Sequence, residues 1–336
     1  MGTTWRQALG LRWPIVQAAL GGGISTADLA IAVSRAGGLG TIGLMPETQF
    51  ADEIKRAQRE LDGLPFAANL LMPLLRRGHV RARIEQRVPV VSVFFGHDAA
   101  ILRELKEAGC YVIYQVGDIA EADTVLRDGA DALIVQGNEA GGHVRSTQPL
   151  AELLPAVRHR HPEVPIIAAG GIFDAASVSR ARAMGADGVA AGTRFLLTPE
   201  SNAHDHYKQA LLEARETLLT DLFGFGWNAP HRVVPNAATR NWCRKDARAP
   251  RWLSSMNSLF EAPSRLLPLT AGATLIRWEH PNMPFFGPFP LTQQMPADRC
   301  EVAPLYAGAC VAEITELRPA ADVVRELGEA FENAAA

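Results

Sequence analysis

Residues 118–137 read DIAEADTVLRDGADALIVQG, and this stretch decides the fold. Asp118 stands at the head of a segment whose apolar residues, Ile119, Ala122, Val125 and Leu126, recur at helical spacing. A side-chain oxygen there accepts from the orphan N–H groups of a first helical turn. Gly129 follows the segment, where a glycine lets the chain reverse. Residues 132–135, ALIV, then run without a polar residue, as a strand covered on both faces does. The unit is therefore helix, glycine, buried strand. The same joint returns at 34–40 (SRAGGLG), 106–112 (KEAGCYV) and 183–189 (AMGADGV).

Working outward, strand-length apolar runs occur at PIVQAA, LGTIGL, PFAANLLM, VPVVSVFFG, YVIYQV, ALIVQG, PIIAAGG and GVAAGT. Amphipathic segments such as STADLAIAVSRAGG, EIKRAQRELDG and DAAILRELKEAGC separate them. Alternating strands and helices predict an α/β fold, and this count of parallel strands predicts a TIM (β/α)8 barrel. A doubly wound sheet is the alternative, but it would place one dominant phosphate turn after the first strand. Here glycine turns follow several strands. The final barrel helix is read as DHYKQALLEARETLL or as AADVVRELGEAFENA. Residues 1–218 are expected to form the barrel, completed by a C-terminal helix within 311–336. Residues 219–310, rich in Pro, Trp, Phe and Asn, are expected to form a smaller, irregular or helical cap inserted after strand eight, with short helix near RWLSSMNSLFEAP.

The 336 residues are 48% hydrophobic and 21% charged, with formal net charge −3. That is an ordinary globular composition, and no basic run points to nucleic acid. No signal peptide or membrane-length apolar stretch is read, so a cytoplasmic protein is expected. Cys110, Cys243, Cys300 and Cys310 form no CxxC pair and no zinc spacing, and are read as reduced thiols.

A barrel of this type places its site at the C-terminal ends of the strands. Strand one offers Gln17, Ala18 and Ala19; strand three Asn69; strand five Gln115; strand six Gln136 followed by Glu139, Gly142 and His143. Strand seven ends at Ala169, Gly170 and Gly171, and strand eight at Gly192 and Thr193. Glycines after the last two strands expose backbone N–H groups where barrels bind phosphate, and Thr193 would add a hydroxyl. Amides both donate and accept, which suits a neutral heteroaromatic ring such as a flavin. A metal would call for clustered carboxylates or histidines, and none is expected. Glu139 is read as an anchor of its own loop through backbone N–H groups.

QAALGGGIS, the AAN of strand three, VQGNEAGGH, IIAAGGI and AGTRFL, in this order, resemble the nitronate monooxygenase family; HRVVPN and LYAGACV are similar to it as well. The resemblance implies non-covalently bound FMN with its phosphate at the AAGG and AGT turns, and His143 beside the flavin. It implies oxidation of alkyl nitronates or nitroalkanes with O2 to a carbonyl compound and nitrite. His143 would remove the α-proton of a neutral nitroalkane or, once protonated, hold the anionic nitronate, since an ordinary imidazole titrates near ~6.5. Gly22, Trp227 and His231 are the expected substrate contacts. This chain departs from the family in Ala18 or Ala19, where methionine is frequent, in Gln115, where lysine is frequent, and in Val144–Arg145 after the histidine. Two other readings stay open: an NAD(P)H-dependent flavin reductase of the enoyl reductase type, and a phosphate-binding barrel without flavin. His97 follows strand four and could face the mouth, but it is given little weight. Trp278, Phe285, Phe286 and Phe289 are read either as a water-excluding group above the flavin or as the core of the cap or of a homodimer interface.

Overall fold

The computed structural model describes residues 4–264, 269–270 and 278–334. Residues 265–268 and 271–277 of the expected cap, and 335–336 of the expected last helix, lie outside the described residues.

The eight apolar runs all form strands: β1 (Ile15–Gln17), β2 (Gly40–Ile42), β3 (Phe66–Leu71), β4 (Val90–Phe94), β5 (Tyr111–Val116), β6 (Ala132–Gln136), β8 (Ile166–Ala169) and β9 (Gly188–Ala191). They pair in parallel in the order β1-β9-β8-β6-β5-β4-β3-β2. A parallel bridge between Val16 and Leu39 joins the first strand to the second and closes the barrel. Val16, Ala67, Val90, Ile113, Ile134, Ile167 and Ala190 fill the interior above Trp5 and Leu11, and their neighbours in sequence pack outward under the helices. Burial on both faces is why these strands read as unbroken apolar runs.

The joints behave as their residues dictate. Gly37, Gly109, Gly129 and Gly185 all have positive φ. Asp98, Asp118 and Asp174 cap the helices Ala99–Glu107, Ile119–Arg127 and Ala175–Ala183 through backbone N–H groups. The aspartates that follow two of the glycines pin neighbouring strands: Asp131 accepts from Val112 N at 2.7 Å and Asp187 from Ile166 N at 2.8 Å. Between the two sequence readings of the last barrel helix, the C-terminal one fits. Helix Ala320–Asn333 packs against helices Ala27–Arg35 and Ala175–Ala183. Helix Asp205–Glu213 joins instead a separate core with Leu196, Leu305 and Val311.

The later region holds helices Ala237–Trp242 and Arg251–Ser264 around a core of Leu222, Phe223, Val233, Leu253 and Phe286. It also holds a sheet that the sequence reading did not contain. In it β11 (His231–Val233) pairs antiparallel with β10 (Leu218–Thr220) on one side and with β7 (Gly142–His143) on the other. The loop after β6 is thus an edge strand of the cap. Among the described residues no helix is long and apolar enough to cross a membrane, and no group of His, Cys, Asp and Glu could hold a metal. All four cysteines are free.

Candidate active site

A cavity of about 540 Å³ opens at the C-terminal ends of the strands. Ala18, Ala19, Gly22, Asn69, Gln115, Gln136, Gly142, His143, Ala169, Gly170, Gly171, Gly192, Thr193 and Trp227 all line it. Two expected contacts do not. Gln17 is fully buried and its side-chain oxygen accepts from Thr41 N at 2.8 Å, so its amide ties β1 to β2. His231 stands behind His143, with 5.4 Å between ring centroids, in the cap core. His97 pairs with Asp128 at 2.6 Å and is absent from the wall. The aromatic group divides: Phe289 lines the cavity, Phe286 is in the cap core, and Trp278 and Phe285 face outward.

The amides divide in the same way. Gln136 is spent on the loop that follows it: Nε2 donates to His143 O at 3.0 Å and Oε1 accepts from Arg145 N at 2.9 Å. Asn69 Nδ2 donates to Ser92 O at 3.0 Å, which leaves its oxygen for a ligand. Gln115 lines the cavity without a hydrogen-bond partner among the described residues. Glu139 holds the loop as expected, accepting from Leu150 N at 3.1 Å.

After β8, Gly170 and Gly171 have φ of +118° and +68°, conformations that side chains beyond glycine rarely adopt. The N–H groups of Gly171 and Ile172 find no acceptor among the described residues. Thr193 Oγ1 accepts from Gly308 N at 2.9 Å and keeps its own proton to donate. These turns present donors to an anion without a cation.

His143 occupies the wall opposite in chemistry. Its ring stacks on Trp227 with centroids 3.6 Å apart and an 11° angle between planes. Phe95, Tyr306 and His231 contact it at 6.1, 5.5 and 5.4 Å. Its Nε2 is buried with no partner among the described residues. Burial, and secondarily the neighbouring His231, hold its pKa well below the ordinary imidazole value, because a charged ring here would lose its water. Burial also lowers His231 to about 4; it donates through Nδ1 to Ala229 O at 2.8 Å and accepts from Phe223 N at 3.2 Å. Among the described residues no Asp, Glu, Lys or Arg lines the cavity.

Sequence reasoning missed Tyr306 and Phe95. Tyr306 lies in LYAGACV, a segment already tied to the family, but nothing local says that it reaches the histidine. Phe95 has φ of +64°, a backbone conformation that a sequence pattern does not reveal for a bulky residue.

Residues 5–80 and 75–250 match the nitronate monooxygenase family model. Over 242 residues, 69% of the chain, it is 37% identical to a (3aS,4S,5R,7aS)-5-hydroxy-7a-methyl-1-oxo-octahydro-1H-indene-4-carboxyl-CoA dehydrogenase of Mycobacterium tuberculosis. The match spans 66% of that relative, just under two thirds of its length. FabK from Thermotoga maritima superposes with a TM-score of 0.77 at 28% identity, covering 100% of this chain and 97% of that one. Nitroalkane oxidase from Streptomyces ansochromogenes gives a TM-score of 0.74 at 29% identity, covering 97% of each chain.

Proposed function

Because the chain belongs to the nitronate monooxygenase family, we propose that it is an FMN-dependent oxidoreductase converting an apolar nitroalkane, or its alkyl nitronate, with O2 into a carbonyl compound and nitrite. The observation that carries this reading is an imidazole held neutral, with its Nε2 buried, on a wall that has no charged side chain among the described residues. Of the two roles open to His143, it favours one. A neutral resting imidazole can accept a proton, and the imidazolium then forms together with the nitronate charge that offsets its burial; holding a nitronate taken from solution would need the ring charged before the anion arrives, which burial opposes. His143 therefore takes the α-proton of a neutral nitroalkane.

The residues present fit a flavin. The Gly170–Gly171 turn and Thr193 offer donors for the FMN phosphate, and the free amide of Gln115 and the oxygen of Asn69 offer hydrogen bonds to a polar ring edge. Bound FMN supplies the electron acceptor and the route to O2. The chain's part is to orient the substrate, exclude water with Trp227, Phe289 and Tyr306, and accept the proton.

The same cavity, without a charged side chain among the described residues, favours a second reading, NAD(P)H-dependent reduction of an apolar enoyl thioester. The CoA dehydrogenase relative and the FabK neighbour support it. Anaerobic mixing of the flavin-loaded protein with a nitroalkane or nitronate, and separately with NADPH, distinguishes the two. Bleaching of the flavin by the nitro compound alone is expected. Bleaching by NADPH alone would transfer the function to the reductase. A protein that takes up no FMN sinks both.

A further inference from the structure

The His143 loop is held more by the cap than by its own strand. Gln136 grips it from the barrel, but Val144 N donates to Pro230 O at 2.9 Å, Arg232 Nη2 donates to Asn138 O at 2.8 Å, and His143 pairs in register with His231. Trp227 completes this grip on the ring itself. Its placement is fixed by a tight turn in which Trp227 N donates to Gly224 O and Ala229 N to Trp227 O, both at 3.0 Å. Its side chain is almost fully buried, so the indole has no competing outward position to fill.

We propose that Trp227 is the positioning residue of the site: the cap lays its indole face-on over His143, fixing the imidazole plane and sealing that face of the half-buried ring from water, so that proton acceptance is governed by cap docking. Face-to-face contact at 3.6 Å leaves no room for water on that side, and Phe95 closes a second side edge-on, packed 4.9 Å from Trp227. Phe95 is itself kept in place by Arg145, whose guanidinium lies 5.4 Å above its ring while its Nε pairs with Glu121. The titratable groups facing the imidazole from the packed elements are His231 and Tyr306. Neither supplies a proton to it: His231 donates to Ala229 O, and the Tyr306 hydroxyl donates to Pro288 O at 3.0 Å. An imidazole so enclosed reacts only at the edge turned to the cavity, and it stays neutral because the rings displace the water that would solvate a cation, a loss that the attraction of an indole face for a cation offsets only in part.

The kinetic arm of the test rests on the proposed nitroalkane reaction; the titration arm does not. Flavin-loaded protein carrying ¹³C-labelled histidine is titrated by NMR as wild type, Trp227→Phe and Trp227→Leu, with His143→Gln to assign the resonance. Wild-type His143 is expected to titrate well below the ordinary imidazole range. Trp227→Phe, which keeps a stacking face, should hold it there. Trp227→Leu should raise its midpoint by about one unit or more, because water reaches the exposed face. The acid limb of kcat/KM should rise with it, kcat should fall about tenfold, and KM should change less than about threefold. A wild-type His143 that titrates near ~6.5 overturns the seal. An unchanged midpoint in Trp227→Leu overturns the clamp, and a loss confined to KM makes Trp227 a substrate contact instead. If Trp227→Leu melts early or loses flavin, the wild-type and Trp227→Phe titrations decide. Absence of nitroalkane turnover in the wild type would sink the proposed function and leave the titration to judge this inference.

Discussion

Gly170→Ala tests the turn proposed to hold the FMN phosphate. An added Cβ would stand 3.4 Å from Gly137 N and 3.5 Å from Ala140 N, ordinary contact distances, so no clash is created. The cost is conformational: φ of +118° is open to glycine and strained for alanine, by about 1–3 kcal/mol. Rotating the turn would relieve that strain and carry the N–H groups of Gly171 and Ile172 away from the proposed phosphate position. A hydrogen bond to a charged group contributes about 1.5–3 kcal/mol, so losing one with part of the strain amounts to about 3 kcal/mol. That corresponds to roughly a hundredfold weaker FMN binding. The assay is titration of apoprotein with FMN by quenching of flavin fluorescence, with thermal melting in parallel. Gly63→Ala serves as the control: its φ of +92° imposes similar strain, but its Cβ would meet nothing within 4 Å and Gly63 is absent from the cavity wall. Should both variants lose stability while FMN affinity stays within about threefold of wild type in Gly170→Ala, the turn does not hold the phosphate and the reasoning is refuted.

Other outcomes follow from the same geometry. His143→Gln should lower nitroalkane turnover by about 10²–10⁴-fold while FMN stays bound, checked by stopped-flow flavin bleaching; turnover near wild type would remove the proton-acceptor role. Gln136→Leu strips the partners from His143 O and Arg145 N, and should cut kcat about tenfold with little change in FMN affinity, measured on the same preparations. Glu279 is buried, one oxygen accepting from Gly287 N at 2.7 Å and the other without a partner among the described residues, and burial raises its carboxyl to about 8. Its ionised form is thus disfavoured in the fold, so stability is greatest below the free carboxyl range and declines as pH rises from about 4.5 toward 8. Glu279→Gln should flatten that decline and raise the melting temperature at pH 8, by an effect on the order of a few kcal/mol; an identical pH profile in the variant would contradict it.

The barrel was legible because its signals are local. A caps-glycine-apolar unit such as 118–137 depends on residues within one turn of one another, and burial on both strand faces prints itself as an unbroken apolar run. The strand ends then follow from topology, so Asn69, Gln115, Gly170, Gly171 and Gly192 could be placed at the mouth before any coordinates. What an amide does there was not legible. Gln17, Gln115 and Gln136 are alike in sequence, yet one ties strands, one has no side-chain partner among the described residues and one holds the histidine loop, since the partner comes from a distant segment for Gln17 and from a loop folding back on itself for Gln136.

The sequence by itself determined that His143 stands on a glycine hinge beyond the sixth strand, and that the chain carries the residues of this family. Only the tertiary structure decided that the hinge becomes a strand of the cap, that an indole from residue 227 covers the imidazole, and that the ring is neutral. The reason is physical. A histidine's protonation depends on how much water and charge surround it, and the groups that set this environment arrive from Phe95, Trp227, His231 and Tyr306, far apart along the chain and joined only by folding.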